Sequence, residues 1–323
     1  MAVLSEFSLI ERYFKQLTPQ REDVLLGIGD DCALLQCPAD HVVAVSIDTL
    51  VEGIHFFADV DPESLGHKSL AVGLSDLAAM GAIPAWFTLA LTLPELDEDW
   101  LHGFSQGLAN LAKQYDIQLV GGDTTKGPLT ISIQVHGFVE ANKAIQRSGA
   151  QLGDMIYVSG CLGDAGAALR LLSNQWNDEA LNEQDRAYLQ QRLEQPTPRV
   201  HLGQELIELA SAAIDISDGL LADLGHIAEK NGVGARLDLA KLPLSPALSK
   251  INQPLAQIFA LESGDDYELC FSVPPQHFAE IEQRFKGQVT RIGMITDDEG
   301  IYYLDDNDNL IELKGIGYDH FIN

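Results

Sequence analysis

Six short Asp-centred signatures, spread from residue 27 to residue 269, constrain this chain more than any other feature. They are Gly27-Ile28-Gly29-Asp30-Asp31, the segment from Ser46-Ile47-Asp48 to His55-Phe56, Ser75-Asp76-Leu77-Ala78, Gly121-Gly122-Asp123-Thr124-Thr125, Asp215-Ile216-Ser217-Asp218-Gly219-Leu220, and Ser263-Gly264-Asp265-Asp266-Tyr267-Glu268-Leu269. Most join a strand-like apolar run to a turn or a helix start. If they converge, so many carboxylates cannot all stay ionised without a counter-charge. Hard divalent cations take oxygen ligands, and Mg²⁺ normally arrives with substrate phosphates.

The charge balance points the same way. With 20 basic and 48 acidic residues the net charge is −28, which argues against a nucleic-acid partner and against anionic membrane surfaces. Solubility accounts for part of the excess. An acidic protein that binds phosphates must nonetheless recruit cations to do so. Cys32, Cys37, Cys161 and Cys270 match no zinc spacing and read as buried free thiols in a reducing cytosol. The segment Met1 to Lys15 carries Glu6 and Glu11 and does not read as a signal peptide. The longest apolar stretch, Ala82 to Leu93, is too short for a membrane span and contains Pro84. A soluble cytoplasmic protein is expected.

The 323 residues fit two domains of about 150 residues each. Pattern reading gives an amphipathic helix from Ser5 to Leu17 and strands at Cys32–Leu35 and His41–Ile47. A helix starts at Asp61-Pro62-Glu63 and runs towards Gly81. A strand at Trp86–Leu93, a helix at Asp97–Tyr115, and strands at Ile117–Val120 and Thr130–Val139 complete this half. The pattern breaks between Glu140 and Gly153, which sets domains at 1–140 and 150–323. Beyond it come a strand at Met155–Ser159, helices at Ala165–Leu172, around Glu179–Leu193 and at Val200–Ser211, and a strand at Ala213–Ile216 leading into a helix at Leu220–Lys230. Strands at Tyr267–Val273 and Val289–Ile295 and a hairpin from Ile301 to Leu313 close the chain. The expected class is α/β (α+β), with two layered domains.

Each acidic signature has a plain alternative. Asp30 and Asp31 after Gly-Ile-Gly fit a tight turn. Asp48 closes the apolar run Val42 to Ile47, a place where α/β proteins collect ligand groups. His55, between Ile54 and Phe56, is a core or loop histidine or a phosphate contact. Asp76 lies in a small-residue helical stretch, where a carboxylate is costly unless paired or metal-bound. Gly121-Gly122 before Asp123 is a β-turn or a backbone cradle for phosphate oxygens. The chain has no G-x-x-x-x-G-K-[ST] sequence, so a P-loop is excluded. Arg147, in a chain poor in bases, is a surface residue or a phosphate clamp. Asp218 can cap the next helix, which Asp215 cannot. The lead Gly160 to Gly166 is an anion cradle or tight packing. Asp305 to Asn309 fails the calcium-loop pattern and reads as a hairpin turn.

In this order, and over essentially the whole chain, the signatures resemble the thiamine-monophosphate kinase family, within the aminoimidazole ribonucleotide synthetase-like superfamily of ATP-using enzymes. The resemblance implies a homodimer that pairs N-terminal sheets, with an N-terminal ATP- and metal-binding domain and a C-terminal domain completing the nucleotide and substrate site. It implies several Mg²⁺ ions, with Asp30, Ser46, Ile47 through its backbone, Asp48, Asp76, Asp123, Asp215 and Asp218 as ligands. Gly122, Asp123, Arg147 and Ser217 would lie on ATP, and His55, Asp265 and Tyr318 on thiamine monophosphate. Asp48, Asp123 and Arg147 would carry the catalysis. Ile47 stands where many relatives carry Thr, and Asp265 where Glu is frequent. The expected reaction is direct in-line phosphoryl transfer to the substrate's own phosphate, forming thiamine diphosphate. The alternatives are another ATP-using enzyme of the superfamily, a non-catalytic metal- or nucleotide-binding dimer, and a Mg²⁺-dependent phosphatase.

Overall fold

The structure, a computed structural model, describes residues 6–304 and 309–313. The chain divides into two compact units, one formed by Met1–Leu77 and Ala82–Asn142, the other by Ala78–Gly81 and Lys143–Asn323. Both are α/β, with mixed sheets.

The first unit opens with α1 (Glu6–Tyr13) and a small antiparallel pair, β1 (Val24–Leu26) and β2 (Leu34–Leu35). Four longer strands follow: β3 (His41–Val51), β4 (Ile83–Leu93), β5 (Gln118–Lys126) and β6 (Thr130–Glu140), with helices α2 (Pro62–Ala79) and α3 (Glu98–Gln114) between them. Asp61 starts α2 by accepting from the backbone N–H of Ser64, and Asp97 caps α3 through two backbone N–H groups. The sheet order is β3-β6-β4-β5, with β4 and β5 parallel and the other pairs antiparallel. Its core contains Leu70, Leu74, Phe87, Leu91, Phe104, Leu108 and Val135, all essentially inaccessible to solvent.

Two strands outrun their sequence reading, and in both cases the difference moves an acidic residue. The apolar run was expected to stop at Ile47, but β3 pairs with β6 without interruption from His41↔Glu140 to Val51↔Thr130. Asp48 is therefore mid-strand, opposite Ile133. Likewise β5 continues through Gly121-Gly122-Asp123 to Lys126, so these residues are strand rather than turn. A partner ladder supplies what low local β-propensity lacks. Gly122 is needed there. Its φ is +157°, and a Cβ would sit 1.9 Å from the Leu89 carbonyl oxygen.

The second unit contains β7 (Met155–Ser159), α4 (Asp164–Leu172), α5 (Glu183–Glu194), α6 (Val200–Glu205), β8 (Ala212–Asp215), α7 (Leu220–Asn231), β9 (Gly234–Leu237), α8 (Gln253–Glu262), β10 (Leu269–Val273), α9 (Phe278–Arg284), β11 (Val289–Thr296), β12 (Gly300–Leu304) and β13 (Leu310–Glu312). Its sheet runs β13-β12-β9-β11-β7-β10-β8. The sequence reading missed β9, α8 and α9 and made α6 too long. The chain leaves the helix after Glu205, and Glu208 takes a positive φ of 67°. The expected hairpin is present as the antiparallel pair β12–β13, while its turn residues 305–308 lie outside the described residues. All four cysteines are free, but only Cys270 is buried and Cys32 is exposed. No described helix is long and apolar enough to cross a membrane.

Gly122→Ala is expected to lower the stability of the first unit by at least about 2 kcal/mol, because the new methyl must displace the Leu89 carbonyl. The urea midpoint measures this, and an unchanged midpoint contradicts the close approach of β5 to β4.

Candidate functional site

In the first unit the structure brings three of the expected residues together. Ser46 and Asp48 are alternate residues of β3 and so share one face of the strand. The Ser46 hydroxyl donates a short hydrogen bond to Asp76 Oδ2 on α2. Asp48 Oδ2 is buried, lies 3.5 Å from where a Cβ on Gly73 of α2 would sit, and has no hydrogen-bond partner among the described residues. Burial, and then the negative charge of Asp76, push the Asp48 carboxyl up to about 7. A buried carboxylate oxygen without a donor costs free energy. The donors gathered here are hard oxygens, the set that suits Mg²⁺, so the residues fit such an ion.

The other first-unit candidates differ from one another in exposure and in what they touch. Asp30 is exposed, and its Oδ1 accepts from the N–H of Asp31, a local turn contact. Asp123 is exposed on β5. Ile47 is exposed on β3, which lies at the sheet edge and turns one row of peptide groups away from β6. His55 is half-buried in the loop after β3, and its Nδ1 faces the backbone N–H of Val51 at 3.0 Å. Nδ1 is therefore the acceptor, and the neutral ring carries its proton on Nε2. Among the described residues no three His, Cys, Asp or Glu groups form a ready-made metal cage.

In the second unit two signatures are knitted into one another. The carbonyl of Ser217 accepts from the Asp265 N–H at 2.9 Å, the carbonyl of Ile216 accepts from Tyr267 N–H at 2.9 Å, and Ile216 N–H donates to Glu268 at 2.7 Å. A Cβ on Gly264 would stand 2.2 Å from the Ser217 oxygen, so glycine is required for this approach. Asp265 and Tyr267 both hold positive φ, 64° and 51°, at a cost of about 1 kcal/mol or more each. The Tyr267 hydroxyl donates to Asp265 Oδ1 at 2.9 Å.

Asp218 does not cap α7. Gly219 occupies the cap position, and Asp223 in the first turn accepts from the N–H groups of Ser217 and Asp218, each at 3.1 Å. Burial raises the Asp223 carboxyl to about 7, opposed by the N–H groups of Asp218 and Ser217 and by nearby Arg147, while the charge of Asp218 adds to the rise. Arg147 is exposed, and Asn231 at the end of α7 pins its stretch by donating to the Arg147 carbonyl and accepting from Gly149 N–H. Asp215 is buried at the end of β8. Tyr318 lies outside the described residues.

Sequence reasoning missed the support beneath this loop. Glu268 is fully buried and accepts from Ser159, Arg192 and Arg199. Arg192 also pairs with Asp164, to which Ser245 and Tyr188 donate. Asp266 is buried with Oδ2 on the Gly163 N–H, and desolvation pushes its carboxyl well up. The Gly160–Gly166 lead thus meets an acid from within the protein. Glu268 was visible inside its signature, but nothing local marks Arg192 or Arg199 as its partners.

Comparison with known proteins places the chain in a class first. Residues 29–139 match the N-terminal domain, and residues 151–305 the C-terminal domain, of AIR synthase related proteins. The thiamine-monophosphate kinase of Escherichia coli K12 is 50% identical over 322 residues, covering 98% of each chain. The crystal structure of thiamine-monophosphate kinase from Stenotrophomonas maltophilia K279a superposes with a TM-score of 0.86 at 48% identity, covering 93% of this chain and 96% of that one. The complex of AaThiL with AMPPCP and TMP gives a TM-score of 0.75 at 32% identity, covering 99% of each. The chain belongs to the thiamine-monophosphate kinase family.

The raised Asp48 carboxyl has a sign that can be measured. Between about pH 4 and pH 7 the folded chain holds a proton that the unfolded chain has released, so stability falls as pH rises through this window. Without Mg²⁺ at pH 8, Asp48→Asn is expected to be more stable than the parent by on the order of 2–4 kcal/mol. The gain should vanish by pH 4. Thermal unfolding at the two pH values checks it, and an equal or lower midpoint for the variant at pH 8 contradicts the assignment.

Proposed function

We infer that this chain transfers the γ-phosphoryl group of ATP to thiamine monophosphate, forming thiamine diphosphate and ADP as a step of thiamine diphosphate synthesis. Half-identity to a thiamine-monophosphate kinase over 98% of both chains carries the substrate assignment. The AaThiL complex, which holds an ATP analogue together with TMP, supports the pairing of the two substrates.

Chemistry decides the mechanism. The acceptor is a phosphate monoester, whose second pKa of about 6 leaves it largely ionised at neutral pH. No proton needs removing, so the elevated carboxyl of Asp48 is not needed as a base and neither is His55. The obstacle is the repulsion between two anionic phosphates, and catalysis is mainly positioning plus electrostatics. Bound Mg²⁺ would supply the neutralising charge on the phosphoryl oxygens. The several ions expected would share Asp48, Asp76, Ser46, Asp30, Asp123, Asp215, Asp218 and the Ile47 carbonyl as ligands. Arg147 would offer its guanidinium to ATP in a chain otherwise poor in bases, with Gly122 and Ser217 against the nucleotide. His55 would donate from Nε2–H to the substrate phosphate. Asp265, an acceptor, would face the cationic or amino end of the thiamine moiety. Tyr318 completes the expected substrate set. Direct in-line transfer follows, with no phosphoenzyme.

The exposed row of Val43, Val45 and Ile47 on edge strand β3 supports a homodimer that pairs N-terminal sheets, since long apolar edges invite pairing. A cytoplasmic location fits the free thiols.

The test is chromatography of the purified protein with ATP, Mg²⁺ and thiamine monophosphate, with thiamine as the alternative acceptor. Thiamine diphosphate is expected one-for-one with ADP, only from the monophosphate. ATP breakdown without that product, or phosphate release without ATP, overturns the reading. Arg147→Ala is expected to raise KM for ATP about tenfold, and an unchanged KM removes Arg147 from the nucleotide site.

A further inference from the structure

The strongest unexplained feature of the second unit is the conformation of the Gly264–Tyr267 segment. Two non-glycine residues in this short stretch, Asp265 and Tyr267 on either side of Asp266, hold left-handed backbone. A bulky aromatic with positive φ is a rare outlier. Such strain persists where the surroundings over-determine it, and it clusters at functional sites. Here the surroundings are plain. Both N–H groups are committed to the carbonyls of Ser217 and Ile216, and Glu268, immediately after Tyr267, is gripped by Arg192 and Arg199. The outcome is one contact: the buried Tyr267 ring lies across the loop so that its hydroxyl reaches the half-exposed carboxylate of Asp265.

We propose that Tyr267 is a positioning residue for substrate recognition, fixing the rotamer of Asp265 so that its carboxylate meets the thiamine moiety. This rests on the functional reading above, in which Asp265 contacts thiamine monophosphate. An aspartate has a single side-chain carbon between Cα and carboxyl, so two torsions set where its oxygens lie. A hydrogen bond from a buried, rigid phenol fixes both. It also explains why the strained backbone at Tyr267 is tolerated. With ordinary β-region φ the residue would continue the strand into β10 and carry the ring away from Asp265. The hydrogen bond is charge-assisted and leaves the carboxylate an acceptor, suited to a cationic or N–H-bearing ring.

Steady-state kinetics of four proteins test the proposal: the parent, Tyr267→Phe, Asp265→Ala and the double variant. Phenylalanine fills the same buried volume, and the thermal midpoint verifies that the fold is kept. Tyr267→Phe is expected to raise KM for thiamine monophosphate about tenfold, with a smaller change in kcat and less than a twofold change in KM for ATP. In the Asp265→Ala background the same substitution should change KM less than twofold, because a positioning residue acts only through its partner. Asp265→Asn, which leaves the phenol in place, should raise the same KM at least as much as Tyr267→Phe. A parental KM in Tyr267→Phe or in Asp265→Asn overturns the proposal. So do losses that multiply in the double variant, or a rise in KM for ATP equal to that for thiamine monophosphate. A parent protein that does not turn over thiamine monophosphate at all refutes the functional reading itself, and is distinguished by failing before any variant is compared.

Discussion

The burial of the Asp48 carboxyl beside Asp76 is the constraint on which the chemistry of this molecule depends. Folding β3 against α2 places two carboxyl groups side by side, with one oxygen of Asp48 sealed from water and offered no donor. The protein answers part of the problem internally, through the Ser46 hydroxyl on Asp76, and part by keeping the Asp48 proton into the neutral range. Neither response satisfies the buried oxygen. A divalent cation satisfies it at once, and a protein of net charge −28 has few cationic side chains with which to do the same. This packing, with a buried carboxylate oxygen left without a donor, supports the proposed metal dependence.

The second unit solves a different problem, that of holding polar loops still. The Asp-Ile-Ser-Asp-Gly-Leu and Gly-Asp-Asp-Tyr-Glu-Leu segments are cross-linked by backbone hydrogen bonds. Beneath them lies a buried ionic layer of Glu268, Asp164, Arg192 and Arg199. Buried ion pairs contribute little net stability once desolvation is counted, and breaking one partner is costly. Their value here lies in geometry, since Glu268 fixes the point at which the strained loop enters β10. Asp223 does the same for Ser217 and Asp218 from the first turn of α7.

Much of this was legible in the sequence, and the exceptions have physical causes. The helix begun by Asp61-Pro62, the Asp97 cap and the strand Met155–Ser159 were readable because caps, Pro at the first turn and apolar runs are local signals. The ends of β3 and β5 were not, because Asp48 and Gly121-Gly122 break the pattern locally and are held as strand only by β6 and β4. Each acidic signature was visible. Invisible was which of them meet: Asp48 with Asp76 across 28 positions, and Ser217 with Asp265 across 48. Asp223 looked like an ordinary helical acid, and its reach back to two N–H groups displaced Asp218 from the expected cap. The arginines on Glu268 carry no motif, and only the fold brings them there.

Calorimetry shows whether the Asp48–Asp76 site, as proposed, exchanges a proton for a divalent cation. Mg²⁺ is titrated into the protein in buffers of different ionisation enthalpy, at pH 6 and at pH 8.5, for the parent and for Asp48→Asn. With the carboxyl raised to about 7, binding at pH 6 should release close to one proton per Asp48 site. The release should fade by pH 8.5 and be absent in the variant. Mg²⁺ binding with no proton release at pH 6, or with the same release in Asp48→Asn, would contradict proton exchange at Asp48.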